Sequence, residues 1–229
     1  MTPIDSGIPR RGVSDTRPDV QPADLPAGAG IPPRVTTVVI GASAGGVEAL
    51  GLLLPALPPD FAPAVIVVLH IVADRESLLA QIFSERCALP VSEAIDKEPV
   101  RSGHIYFAPP DYHLQVETDG AFSLSMDDPV NYSRPSIDVL FESVAWSVGD
   151  RALGLLLTGA NADGAAGLAA IRAAGGATWV QDPATAFAEA MPRSAIERDA
   201  AQEILTLPAM ARRLGGWRST ETVGSQTAS

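Results

Sequence analysis

The chain has 229 residues, 46% of them hydrophobic and 19% charged, and a formal net charge of −11. This balance is globular and excludes a wholly disordered chain, while the acidity disfavours nucleic acid and anionic membranes as partners. The single cysteine excludes an internal disulfide and a cysteine-based zinc site; with no signal-peptide pattern and no apolar run long enough to span a bilayer, the sequence points to the cytoplasm.

Residues 1–34 hold seven of the 20 prolines, with four arginines cancelling four aspartates. They read as a disordered leader ending at Pro32-Pro33. The apolar, β-branched run 35–40 predicts a first strand closed by Gly41, and 47–57 has helical spacing. A second buried-type run, 64–69, precedes a helix over 74–87. Three short strands follow at 104–108, 113–117 and 122–126 and suggest an antiparallel excursion. Residues 136–148 read as an amphipathic helix, 152–157 as a third buried strand, and 164–174 as a helix ending at Gly175-Gly176. A strand at 178–181, a helix near 192–198, a strand near Ile204 and a helix from Pro208 complete the pattern. Residues 215–229, rich in Ser, Thr and Gly, read as a flexible tail.

Continuous apolar strands alternating with helices predict an α/β fold: a mostly parallel, doubly wound, Rossmann-like sheet covered on both faces. In such sheets chemistry gathers outside the carboxyl ends of the strands. The three most apolar strands deliver Ser43, His70 and Asp163 to that edge, the residue types of an acyl-transfer triad. A serine hydroxyl needs a base to take its proton as it attacks, His70 has the titration range for that role, and Asp163 would hold the imidazole. The turn Gly41-Ala42-Ser43-Ala44-Gly45 fits G-x-S-x-G, in which a following helix aims free N–H groups at a developing oxyanion.

Each residue taken alone has a plainer reading: Ser43 as a small turn residue, His70 as a satisfied sheet-edge histidine, Asp163 as a helix N-cap. Their shared location is what favours catalysis. A dinucleotide fingerprint fails because Ser43 replaces the second glycine and His70 stands where a ribose-binding acid belongs. An α/β-hydrolase fails because its histidine follows the acid, whereas the last histidine here is His113. His104 and His113 have no visible nucleophile, and Asp138 at a helix start is explained by the helix dipole.

The segments GASAGG around Ser43, LTGANADGAAG around Asp163, NYSRPSIDVLF (131–141), HIYFAPPDYHL (104–114) and QDPATAFAEAMPRSAI (181–196) resemble the catalytic domain of bacterial chemotaxis protein-glutamate methylesterases of the CheB type. The resemblance covers residues 35–214. It implies Ser43 as nucleophile, His70 as general base and acid, Asp163 as its orienting residue, and the backbone N–H groups of Ala160 and Ala44 as oxyanion donors. It implies substrates that are γ-glutamyl methyl esters on the cytoplasmic helices of chemoreceptors, methanol as product, deamidation of receptor glutamines as a related activity, and no metal or organic cofactor. Other chemosensory proteins are the remaining expected partners. The family often has Thr at Ala44, Met at Ala160, His at Ser133 and Gly at Ala190, so receptor preference is less secured than chemistry. Many members also carry an N-terminal phospho-acceptor domain; the leader here is too short for one, which predicts a stand-alone catalytic domain. Two alternatives stay open: a degenerate homologue that binds receptor or methyltransferase without turnover, and a general small-ester hydrolase.

Overall fold

The computed structural model describes residues 30–70 and 78–217. The expected leader up to residue 29, the start of the 74–87 helix and the tail from 218 lie outside the described residues.

The sheet grows from strands too apolar to sit anywhere but between two layers. Strands β1 (Thr37–Ala42) and β2 (Ala64–Leu69) are buried at every position, and they pair in parallel from Thr37 opposite Ala64 to Ala42 opposite Leu69. Helix α1 (Gly46–Leu53) connects them and gives way to a single 3-10 turn at Leu54–Ala56, where Pro55 interrupts the helical ladder. Next come α2 (Leu79–Ser84), β3 (Val91–Glu93) and β4 (Ile105–Phe107). Strands β5 (His113–Val116) and β6 (Phe122–Ser125) form an antiparallel hairpin. The chain returns through α3 (Ile137–Ser147), β7 (Ala152–Leu156), α4 (Ala165–Ala173), β8 (Ala177–Gln181), α5 (Ala190–Glu197), β9 (Glu203–Leu205) and α6 (Leu207–Gly215).

Seven strands lie side by side in the order β3-β4-β2-β1-β7-β8-β9, all parallel. The strand order turns back at β1, which has β2 on one side and β7 on the other, and a crevice opens there at the carboxyl ends. Alternate residues feed two cores. Val38 and Ile40 face the layer of α1 and α6, while Val39, Ile66 and Val68 face α3, α4 and the hairpin. Both sheet edges are three-residue strands, VSE and EIL.

The structure bears out the mostly parallel sheet with an antiparallel excursion, and it corrects details. Of the three short strands, only β5 and β6 make the excursion; β4 pairs in parallel between β2 and β3. Strand β3 was not expected, because three half-buried residues with Ser and Glu among them carry no apolar run. Gly41 does not close β1: it stays paired with Val68 and Leu156. A side chain there would force Ile137 to move, since a Cβ would lie 2.3 Å from Ile137 Cγ2. At the outer boundaries, Ile31 and Trp217 are buried, and Trp217 packs on Phe61 with ring centroids 5.4 Å apart.

Candidate functional site

Parallel pairing sets the first two residues. Ala42 lies opposite Leu69, so Ser43 and His70 leave the sheet side by side, and His70 N donates to Ala42 O at 3.1 Å. The loop after β7 brings Asp163 to them. His70 Nε2 lies 2.8 Å from Asp163 Oδ2, with the carboxylate fully buried and the imidazole 12% exposed. Ser43 Oγ makes no hydrogen bond among the described residues; its turn is fixed instead through Ser43 N to Thr158 O at 2.9 Å.

Asp163 is held by five donors. Oδ1 accepts from Asn131 Nδ2 (2.9 Å), Ser136 Oγ (2.8 Å) and Asp138 N (3.1 Å); Oδ2 accepts from His70 Nε2 and from Ile137 N (2.7 Å). Burial by itself would raise the carboxyl pKa, but the hydrogen bonds from His70, Asn131, Ile137 and Ser136 outweigh it and hold the group below its ordinary value. The plainer N-cap reading is thus half right. Asp163 sits on a helix N-terminus, but that of α3 across space and not that of α4, which it precedes.

An ionised carboxylate only accepts, so the ring proton resides on Nε2 and the lone pair on Nδ1. Nδ1 faces the open side, with Ser133 Oγ 3.5 Å away in a loose contact. His70 and Ser133 line a cleft of about 280 Å³ together with Asp111, Tyr132 and Arg134. The segment 131–135 is pinned by Arg134, whose Nε and Nη2 donate to Asp111 Oδ1 (3.1 and 2.7 Å) and whose Nη1 donates to Met126 O and Asp127 O.

Ala44 follows Ser43 in the chain, and Ala160 stands two residues beyond Thr158, whose carbonyl accepts from Ser43 N. Neither backbone N–H finds an acceptor among the described residues, and Ala160 is exposed. Thr158 ties the two turns together: its Oγ1 donates to Ala44 O at 2.8 Å and accepts from Ala188 N at 2.9 Å. Its own N–H is taken by Gln181 Oε1.

Several site residues are not assigned to the site from the sequence, in which His113 and Asp138 have other readings. Asn131 donates to Asp138 Oδ2 (2.8 Å) as well as to Asp163. Asp138 also accepts from Gly167 N at 2.7 Å; burial raises its pKa, and the nearby Asp163 charge adds to that, against the hydrogen bonds it accepts. The close approach of α3 and α4 needs Gly167, where a Cβ would lie 2.9 Å from Asp138 O. His113 is buried and holds the α3 entrance, Nδ1 accepting from Ser136 N (3.2 Å) and Nε2 donating to Asp128 O (3.1 Å). The signal was a polar cluster, Asn-x-Ser-x-x-Ser-x-Asp, at the start of an apolar helix. His104 lies apart, bonded to Ser92 Oγ at 2.9 Å and stacked on Tyr106. No group of three or more His, Cys, Asp or Glu able to hold a metal occurs among the described residues.

This constellation sits in a chain whose residues 38–214 match the family described as CheB methylesterase. The chain belongs to the CheB methylesterase family. A CheB relative from Leptospira interrogans, named a putative protein-glutamate methylesterase/protein-glutamine glutaminase, is 46% identical over 174 residues, covering 76% of this chain and 90% of that one. A protein-glutamate methylesterase/protein-glutamine glutaminase of Bordetella avium is 44% identical over 181 residues, or 77% of this chain and 51% of the relative. The chain therefore spans most of the first relative and about half of the second. The crystal structure of the Thermotoga maritima CheB methylesterase catalytic domain superposes with a TM-score of 0.76 at 32% identity, covering 79% of this chain and 97% of that one.

Proposed function

We propose that the chain is a serine hydrolase that demethylates γ-glutamyl methyl esters on the cytoplasmic helices of chemoreceptors, with Ser43, His70 and Asp163 as its triad. The observation that carries the reading is the 2.8 Å contact of His70 Nε2 with a buried, five-fold hydrogen-bonded Asp163, beside the turn that presents Ser43. The names of the relatives supply the substrate class.

The reaction follows from the ring's orientation. Ser43 Oγ attacks the ester carbonyl carbon while Nδ1, the unprotonated nitrogen, takes its proton. Asp163 stabilises the imidazolium through Nε2–H and fixes which nitrogen is basic. Charge develops on the carbonyl oxygen, and the N–H groups of Ala44 and Ala160, which find no acceptor among the described residues, serve as its donors. The tetrahedral intermediate collapses, Nδ1–H protonates the departing methoxide, and methanol leaves an acyl-Ser43 ester. Water then attacks, giving its proton to Nδ1, and Ser43 regains that proton as the glutamate carboxylate is released. A glutamine side chain would follow the same route with ammonia as leaving group. In the resting structure Nδ1 faces Ser133 more closely than Ser43; such contacts tighten when substrate arrives.

Methanol release from a methylated receptor cytoplasmic fragment tests the reading. Ser43→Ala should abolish it, a loss on the order of 10⁴-fold or more. Release unaffected by the substitution would refute the assignment of Ser43.

A further inference from the structure

Residues 130–133 form a tight turn closed by reciprocal hydrogen bonds, Val130 N to Ser133 O at 3.2 Å and Ser133 N to Val130 O at 3.0 Å. Asn131 and Tyr132 both adopt left-handed backbone, with φ of 52° and 62°, a state disfavoured for bulky L residues. For Asn131 the return is its pair of hydrogen bonds to Asp138 and Asp163. Tyr132 has the backbone that the turn requires, but its side chain is fully exposed, and its phenol makes no hydrogen bond among the described residues. The turn holds an aromatic ring in solvent, on the wall of the cleft that His70 lines.

A second ring stands on the other side. Phe187, in the loop after β8, is 84% exposed. Its Cβ sits against Gly45, two residues beyond Ser43, where an added Cβ would lie 2.5 Å from it. Tyr132 shares the cleft of His70, which follows β2, while Phe187 follows β8 and packs at the Ser43 turn. β2 and β8 lie on opposite sides of β1, which sets the rings on either side of the Ser43–His70 pair. Among the described residues, the charges beside the two rings are paired, Arg134 with Asp111 and Arg193 with Glu189. The rings themselves offer apolar contact.

We propose that Tyr132 and Phe187 are specificity-determining residues that grip a substrate polypeptide through apolar side chains on either side of its esterified glutamate. A protein segment brings neighbouring side chains to the two rings, which a one-residue ester lacks. The inference rests on the hydrolase reading above and names what that site recognises.

The test compares steady-state methanol release from a methylated receptor cytoplasmic fragment and from N-acetyl-glutamate γ-methyl ester N-methylamide. Tyr132→Ala and Phe187→Ala should each raise KM for the fragment by about 5- to 10-fold, as loss of an exposed aromatic anchor does. The loss of kcat/KM should be at least about fivefold greater on the fragment than on the single-residue ester. Tyr132→Phe should keep the wild-type KM. Tyr132→Gly, which suits φ 62°, should show the same KM effect without lowering the unfolding temperature, so that ring loss is not confused with misfolding. Unchanged KM on the fragment, or equal losses on both substrates, would overturn the proposal. Absence of methanol release by the wild-type chain from both substrates would refute the hydrolase reading itself.

Discussion

Replacing Asp163 with Asn changes one atom and probes most of the site. All five groups around the carboxylate are donors, three at Oδ1 and two at Oδ2. The amide oxygen can serve the three, which turns the NH₂ toward His70 Nε2 and Ile137 N. The imidazole escapes by changing tautomer: Nε2 becomes an acceptor and the proton moves to Nδ1, the nitrogen that must be basic. That predicts a fall in kcat on the order of 10⁴, the cost of a wrong tautomer in a serine triad. Ile137 N–H has no escape. A buried donor facing a donor costs about 1–3 kcal/mol, and lost charge assistance on the remaining bonds brings the total to about 2–4 kcal/mol. For a chain of this size the unfolding temperature should drop by roughly 5–15 °C. Methanol release and calorimetry on the same preparation measure both effects. If Asp163→Asn retains a tenth of the wild-type kcat, Nδ1 is not the base and the tautomer argument fails.

The same carboxylate sets a dependence on pH. Its folded pKa lies below the ordinary 3.8, so its stabilisation is present above that value and is lost as pH falls through and below it. The stability gap between wild type and Asp163→Asn, measured by urea unfolding at several pH values, should therefore narrow on acidification; a gap constant down to about pH 2.5 would contradict this. Gly41→Ala should cost about 2–3 kcal/mol and lower kcat, because the new methyl must displace Ile137 and with it the α3 N-terminus. Ile137→Ala introduced with it should recover part of the stability in a double-mutant cycle, and strict additivity would sink the idea. His113→Leu should destabilise by about 1–3 kcal/mol by orphaning Ser136 N–H and Asp128 O. His104→Ala, remote from Asp163, should keep kcat within about twofold; equal kinetic losses for the two variants would show that the distinction is misplaced.

Much of this architecture was legible because long apolar strands admit few readings. The runs at 64–69 and 152–157 can only be central strands, and the residue leaving each carboxyl end is then fixed by where apolarity stops. That logic reached Ser43, His70 and the neighbourhood of Asp163. It could not see what holds Asp163, since Asn131, Ser136 and His113 are far from it in the chain and become its surroundings only when α3 docks on β1. Strand β3 escaped for a related reason: three half-buried residues pair only because β4 offers an open side. Which imidazole nitrogen faces the acid is likewise a property of three-dimensional placement, with no sequence signature.

The two borders of the sheet bear on how the protein behaves in a crowded solution. Open backbone along a strand invites pairing with another molecule, the first step toward aggregation. Here the exposed rims are three residues each and carry Glu93 and Glu203. A second chain would find only a few hydrogen bonds to make, on a protein whose net charge of −11 already opposes association. The six-residue apolar strands β1 and β2, the segments most prone to such stacking, are confined to the middle of the sheet. A second folded chain that meets either rim thus finds no long apolar strand to extend.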